Sequence, residues 1–177
     1  MMIRRIAAAG LLAALMGVAA CATPSNPAMM TLSATPGLTA SAGDLGYRSV
    51  TNVTVSGGQS TNPLWTSQVS NADFKTALEG SLAAAGYMGT EGQPISVSAS
   101  LINLKQPLAG FDMTVTSQVR YTVARGERTV FDETVSATGT ATMGQALVAG
   151  ERLRMANEAA IRENIKEFLT RFRARAR

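Results

Sequence analysis

The sequence predicts an α+β domain: a four-stranded, mainly antiparallel sheet with two helices on one face, in the order β-α-β-β-β-α. Three observations carry this. Several segments alternate apolar and polar residues with period two, two segments repeat with the helical period, and one of those helices separates the first strand from the other three. Two amphipathic helices can cover one face of such a sheet and leave the other to water.

The first strand is expected over Arg48–Ser56, RSVTNVTVS, which is rich in β-branched residues and closed by Gly57-Gly58. A loop with Pro63, Leu64 and Trp65 follows, then VSNADFKTALEGSLAAAGY. Ser70 is a good N-cap, Asp73 completes a capping-box-like pair, and Val69 and Phe74 occupy the hydrophobic-staple positions. Phe74, Ala77, Leu78, Leu82 and Ala85 form one helical face, and Gly86 is placed to end the helix in a left-handed turn. The strand-helix-strand connection calls for a parallel, right-handed crossover.

ISVSASL alternates cleanly, with Ile95, Val97, Ala99 and Leu101 on one side and serines on the other. FDMTVTSQVRYTV does the same over a longer span. Phe111, Met113, Val115, Val119, Tyr121 and Val123 share a face interrupted by Ser117. In the next strand Phe131, Val135, Ala137 and Ala141 share a face. The hairpin between these strands has two candidate registers. A plain two-residue Gly126-Glu127 turn would place Val123 opposite Val130 and turn Phe131 to solvent, because a one-residue slip exchanges the two faces. A three-residue loop, or an equivalent bulge, pairs Val123 with Phe131, Tyr121 with Glu133 and Val119 with Val135, so that both apolar faces agree. Glu133 then falls beside Tyr121, with the phenol hydroxyl as its partner, or else lies at the rim. The same register pairs Thr114 with Thr140 and Thr116 with Thr138 on a Ser/Thr face.

The last segment, GERLRMANEAAIRENIKEFLTRFRARAR, is filled with good helix formers, and Ile161, Ile165, Phe168, Leu169 and Phe172 make a stripe. Leu153, Ala156 and Ala160 lie rotated from it, and the small alanines would permit close packing on the sheet. Arg171, Arg173 and Arg175 suit the negative end of the helix dipole. They would equally suit the phosphates of anionic lipid or lipopolysaccharide.

Ahead of this domain, MMIRRIAAAGLLAALMGVAAC has Arg4 and Arg5, an uncharged run from Ile6 to Ala20, and small residues before Cys21. That is the layout of a secretory signal peptide, and the run is shorter than the ~20 residues needed to span a bilayer. Cys21 is the only cysteine. In an exported chain it would otherwise be an unpaired thiol. Residues 22–46 are dominated by Pro, Ser, Thr, Ala and Gly, the composition of a flexible tether that would hold a domain roughly 25–30 Å off an attachment point. Alternatively Met29, Met30 and Leu32 let part of it lie against the domain. The expected organisation is a leader over 1–20, Cys21 and tether over 21–46, one domain over 47–173 and a basic tail over 174–177.

The net charge is +4 with a pI near 9.7. Arg4 and Arg5 supply two of those charges, and no basic run interleaved with aromatics follows, so nucleic acid is an unfavoured partner. Histidine is absent, which rules out a Ser-His-Asp or Cys-His site within the chain. A soft-metal site would lack both imidazole and free thiolate, and nothing calls for a cofactor. Asp132 and Glu133 are adjacent acids, yet on a strand they point to opposite faces. GYMGTEG follows a helix, where its glycines serve a cap and loop better than a phosphate cradle. Trp65, the sole tryptophan, suits either a lid on the core or an interface.

Val18-Ala19-Ala20-Cys21 resembles the lipobox of bacterial lipoproteins. The resemblance implies a diacylglycerol on the Cys21 sulfur, cleavage before Cys21 and a further acyl chain on the new amino group; the alternative is a plain signal peptide. Ala22 in place of Asp implies the outer membrane, facing the periplasm. The element order is similar to that of the lipopolysaccharide-assembly lipoprotein and of auxiliary lipoproteins of envelope transport systems. NPLWTSQVSNADF, QPLAGFDMTVTSQVRY and ERLRMANEAAIRENIKEFL resemble a family of short bacterial lipoproteins, some labelled UDP-N-acetylglucosamine acyltransferase. That enzyme has hexapeptide repeats and a histidine base, and this chain has neither. The leading expectation is therefore a non-enzymatic accessory or assembly factor of the envelope. It would be held to the membrane at Cys21 and would meet another envelope protein through a sheet edge or the loop around Trp65. A lipid or glycolipid binder using the sheet's concave side and the terminal arginines is the second, and the labelled acyltransferase the third.

Overall fold

The computed structural model describes residues 22–62 and 66–175. A single helical turn, α1 (Pro27–Met30), precedes β1 (Val50–Ser56), α2 (Asn71–Ala84), β2 (Ile95–Lys105), β3 (Met113–Arg125), β4 (Arg128–Ala141) and α3 (Ala149–Arg175). The sheet order is β1-β2-β3-β4. β1 pairs with β2 in parallel, and the other two pairings are antiparallel. This is the expected α+β plan, with α1 added.

The register follows the apolar alternation. Val123 lies opposite Phe131, Tyr121 opposite Glu133, Val119 opposite Val135 and Thr114 opposite Thr140. The device is a bulge: Arg125 faces Arg128 across a tight turn, and the ladder then slips between Val123 and Ala124, leaving Val130 as the extra residue. A second irregularity, between Leu101 and Asn103, leaves Ile102 exposed. β3 begins at Met113, two residues later than the alternation implied, so Phe111 is not part of the inner face.

α2 starts as its cap predicts, with Ser70 Oγ accepting from the Asp73 N–H, and Gly86 closes it at φ +76°. Phe74, Ala77, Leu78 and Leu82 are buried against Val53, Val97, Ala99 and Val119 in one core. α3 supplies the other wall with Ile161, Ile165, Phe168, Leu169 and Phe172, all buried. Its rings meet those of the sheet: Tyr121 stacks on Phe168 at 4.1 Å, and Phe131 stands edge-on to Phe168 and Phe172. The rotated alanines do what their size allows. Gly139 of β4 lies so close to α3 that a Cβ there would meet the Ala160 nitrogen at 2.2 Å.

Residues 22–46 form a strap on the domain rather than a free tether, the alternative that Met30 and Leu32 had left open. Met30 is fully buried in the core, and α1 packs against both α2 and α3. Burying such a side chain is worth about 1.5–3 kcal/mol. Gly80 in α2 leaves a notch for Thr31, and the Leu32 N–H donates to Ser81 Oγ in the next position (2.9 Å). Further on, the Ala40 N–H donates to Ala85 O at the far end of α2 (2.8 Å). The strap thus runs the length of the helical layer before turning into β1.

Candidate functional site

The two ends of the sheet are chemically distinct. At one end the chain leaves β2, enters β3, leaves β4 and starts α3; this is the loop end. At the other lie the β3–β4 turn and the C-terminus of α3; this is the hairpin end.

The expected site residues divide between these ends. Arg171, Arg173 and Arg175 lie at the hairpin end and are engaged within the protein. Arg171 pairs with Glu167 (2.8 Å) and Glu133 (3.4 Å), Arg175 pairs with Glu133 and lies over the Phe131 ring, and Arg173 is 3.9 Å from Asp44 of the strap. Hydrogen bonding to Glu167 is the main reason the Arg171 guanidinium is held above its ordinary range. α3 continues through Arg175, so the tail expected from 174 is helical there. Glu133 is a rim acid serving these arginines and is not the partner of Tyr121. The buried Tyr121 hydroxyl donates instead to Asn164 Oδ1 (3.0 Å), and burial pushes its pKa well up. Asn164 Nδ2 in turn donates to Ser117 Oγ (3.1 Å) and Val135 O (3.0 Å), so the polar interruption of the β3 face has a partner on α3.

Cys21 and Trp65 lie outside the described residues; their flanks are at the loop end. Ser67 Oγ donates to Thr23 O (2.8 Å), and Ser67 O accepts from Gln106 Nε2 (2.9 Å) and Asn157 Nδ2 (3.0 Å). Gln106 also donates to Asn157 Oδ1 (2.9 Å) and its Oε1 accepts from the Thr66 hydroxyl (3.2 Å). The Asn26 N–H donates to Glu158 Oε1 (2.7 Å). Arg154 bridges Glu158 and Glu151. The Glu158 carboxyl titrates above its ordinary 4.5, burial being the largest cause, against the pull of the Asn26 N–H and Arg154. Glu151 moves the other way because Arg154 bonds to it. Together these groups clasp the first residues of the strap. Asn157 and Glu158 were not singled out from the sequence; their place next to the Ala156 and Ala160 line is the one signal that could have found them. No pattern in the loop sequences pointed to Gln106 or Ser67.

Beyond the clasp, large apolar side chains stand in solvent. Leu108 is fully exposed, Phe111 is 79 % and Leu147 is 82 % exposed, and Val148 and Met143 are also exposed. The Ser/Thr face carries Thr114–Thr140 and Thr54–Ser98 hydrogen bonds and a bidentate Arg120–Asp132 pair, which lowers the Asp132 pKa. Two shallow pockets, of about 140 Å³ beside Met29, Gln145 and Met155 and about 160 Å³ beside Gln68, Ile102 and Leu104, fall below the roughly 300–1,000 Å³ usual for small-molecule sites. Among the described residues no three His, Cys, Asp or Glu side chains gather as metal ligands, and no helix is long and apolar enough to cross a membrane.

The class this geometry defines is an α+β domain with two long helices on one face of a four-stranded sheet, and solved structures share it. A Xanthomonas campestris protein of a family designated DUF330 aligns with 87 % of this chain and 96 % of its own, at 11 % identity and a TM-score of 0.59. A Caulobacter crescentus protein described as a candidate lipoprotein covers 76 % and 94 %, at 12 % identity and a TM-score of 0.51. These likenesses establish the fold. No profile of a known protein family matches the chain, and no curated protein is significantly similar to it.

Proposed function

We propose that the protein is a lipid-anchored bacterial envelope protein, acylated at Cys21, facing the periplasm from the outer membrane and acting as a non-enzymatic accessory or assembly factor. The observation that carries this is the leader ending in Val18-Ala19-Ala20-Cys21, followed at once by a compact domain. Support comes from the shared fold, since one of the solved proteins is described as a lipoprotein. Two or more acyl chains anchor a protein stably where a single chain holds it marginally. An envelope protein would dock at an open edge, β1 or β4, or at the loop around Trp65. The acyltransferase reading has no supporting histidine.

The deciding experiment is Cys21→Ser in the full-length chain. The native mature product should carry the mass of its acyl chains and partition into the detergent phase, and Cys21→Ser should lose both. An unchanged mass and partition would refute the anchor. For the accessory role, a photoreactive residue at position 65 should crosslink the anchored protein to one discrete envelope protein. Recovery of only the monomer would count against it.

A further inference from the structure

We infer that the loop end is seated directly on the lipid surface, with Leu108, Phe111, Leu147 and Val148 entering the boundary between headgroups and acyl chains. This rests on acylation of Cys21 and adds to it an orientation and a contact surface.

The first argument is reach. Thr23 is fixed to Ser67, and Ser67 to Gln106 at the base of the loop that carries Leu108 and Phe111. Only Ala22 separates Thr23 from Cys21, so an acyl chain on that residue could be no further from the clasp than about 7 Å of extended backbone plus one side chain. A 25–30 Å tether would leave the domain free to tumble; a clasped strap does not. The bilayer must therefore lie near this end of the molecule.

The second argument is chemistry. Residues 106–112, QPLAGFD, and 142–148, TMGQALV, hold one charge between them, Asp112. Asp112 accepts from the Met143 N–H (3.1 Å) and so ties the two loops together. Arg152, itself buried, donates to Ala146 O and Leu147 O (both 2.7 Å) and braces the second loop from behind. Apolar side chains are thus held outward by a polar scaffold, at the place where the anchor begins. Each large apolar group moved out of water contributes about 25 cal/mol per Å², and a chain already anchored loses little further freedom on seating. Because the loops carry no base, seating requires no anionic lipid.

The test uses the acylated protein in phosphatidylcholine vesicles. Cys21 being consumed by lipid, a cysteine introduced by Phe111→Cys or Leu147→Cys takes an environment-sensitive fluorophore alone, and Glu127→Cys, at the turn of the hairpin end, serves as control. Nitroxide lipids should quench the label at 111 and 147 at least threefold more than at 127, with little change between low and high salt. Equal, weak quenching at all three positions in protein of confirmed acylated mass would overturn the seating and leave the anchor intact. Loss of the acyl mass would instead remove the anchor itself. Crosslinking of Phe111→Cys to its counterpart in a second copy, without lipid quenching, would assign the surface to self-association and also overturn the proposal.

Discussion

The hairpin end and the loop end are built from the same two strands and the same helix, yet they resolve their surfaces in opposite ways. At the hairpin end Phe131, Phe168 and Phe172 are buried and the surrounding charges are paired, Arg171 and Arg175 with Glu133. At the loop end Leu108, Phe111 and Leu147 face water while polar groups, Asn157 and Ser67, are buried and bonded to each other and to the half-buried Gln106. A polypeptide that buries its polar residues to expose apolar ones gains nothing in stability by it. That inversion points to a surface shaped for contact, whereas the hairpin end is shaped to hold the fold.

The sharpest way to break this contrast is a pair of aromatic truncations. Phe168→Ala at the centre of the aromatic cluster should lower the unfolding free energy by about 3–5 kcal/mol. Phe111→Ala should change it by no more than about 0.5 kcal/mol, as expected for a side chain that is 79 % exposed. Urea midpoints of the two variants decide it, and a large loss from Phe111→Ala would mean that the loop end is structural after all.

Met30→Ala comes next, because the strap joins the two ends. A free tether predicts no effect. A strap with Met30 as its buried plug predicts a loss of about 2–4 kcal/mol, together with faster proteolysis of residues 31–46. The same variant should keep its acyl chains.

The contrast also separates what could be read from the sequence from what could not. Local periodicities were legible: the β3–β4 register, including the need for an odd residue, followed from making Phe131 and Val123 agree. The α2 cap and the α3 stripe were equally plain. The strap was legible only as an alternative, through Met30 and Leu32, because its composition is that of a flexible coil. It is held by hydrogen bonds, the buried Met30, Leu38 and Ala40, and the Gly80-Ser81 notch, none of which has a period. Asn164 could have been suspected, since it stands beside the apolar stripe three residues after Ile161. Its pairing with Tyr121 needed the position of α3 on the sheet. Phe111 fitted the apolar alternation, but β3 begins only at Met113, because a strand end is set by the partner strand, here Ala141 opposite Met113.

Glu158 gives a smaller and pH-dependent test of the clasp. Its carboxyl is raised above 4.5, so just above that pH the native state holds a proton that the unfolded state has released. The stability this contributes is complete below 4.5 and is lost as pH rises through the native value. Glu158→Gln keeps an acceptor for the Asn26 N–H but cannot titrate. The native chain should therefore lose ground to Glu158→Gln as pH rises from 4 to 7, read from urea midpoints. A gap moving the other way would mean that the Arg154 pair outweighs burial at this carboxylate.

The smallest effect is expected at the arginines. Arg171 is 41 % and Arg175 59 % exposed at the side chain, and ion pairs open to water in this way are worth about 0–1 kcal/mol. Arg171→Gln with Arg175→Gln should lower stability by less than about 1 kcal/mol and should lose even that in high salt. The double variant also sharpens the orientation. β3 has thirteen residues, so the hairpin end stands roughly 40 Å from the loop end, several times the ~8 Å Debye length at physiological salt. If the loop end sits on the bilayer, removing both charges leaves the position of the anchored domain unchanged when anionic lipid replaces neutral lipid, read as fluorophore quenching at residue 127. If instead those arginines reach the headgroups, quenching at 127 rises with anionic lipid in the native chain and falls in the double variant, and the two ends would have to exchange roles.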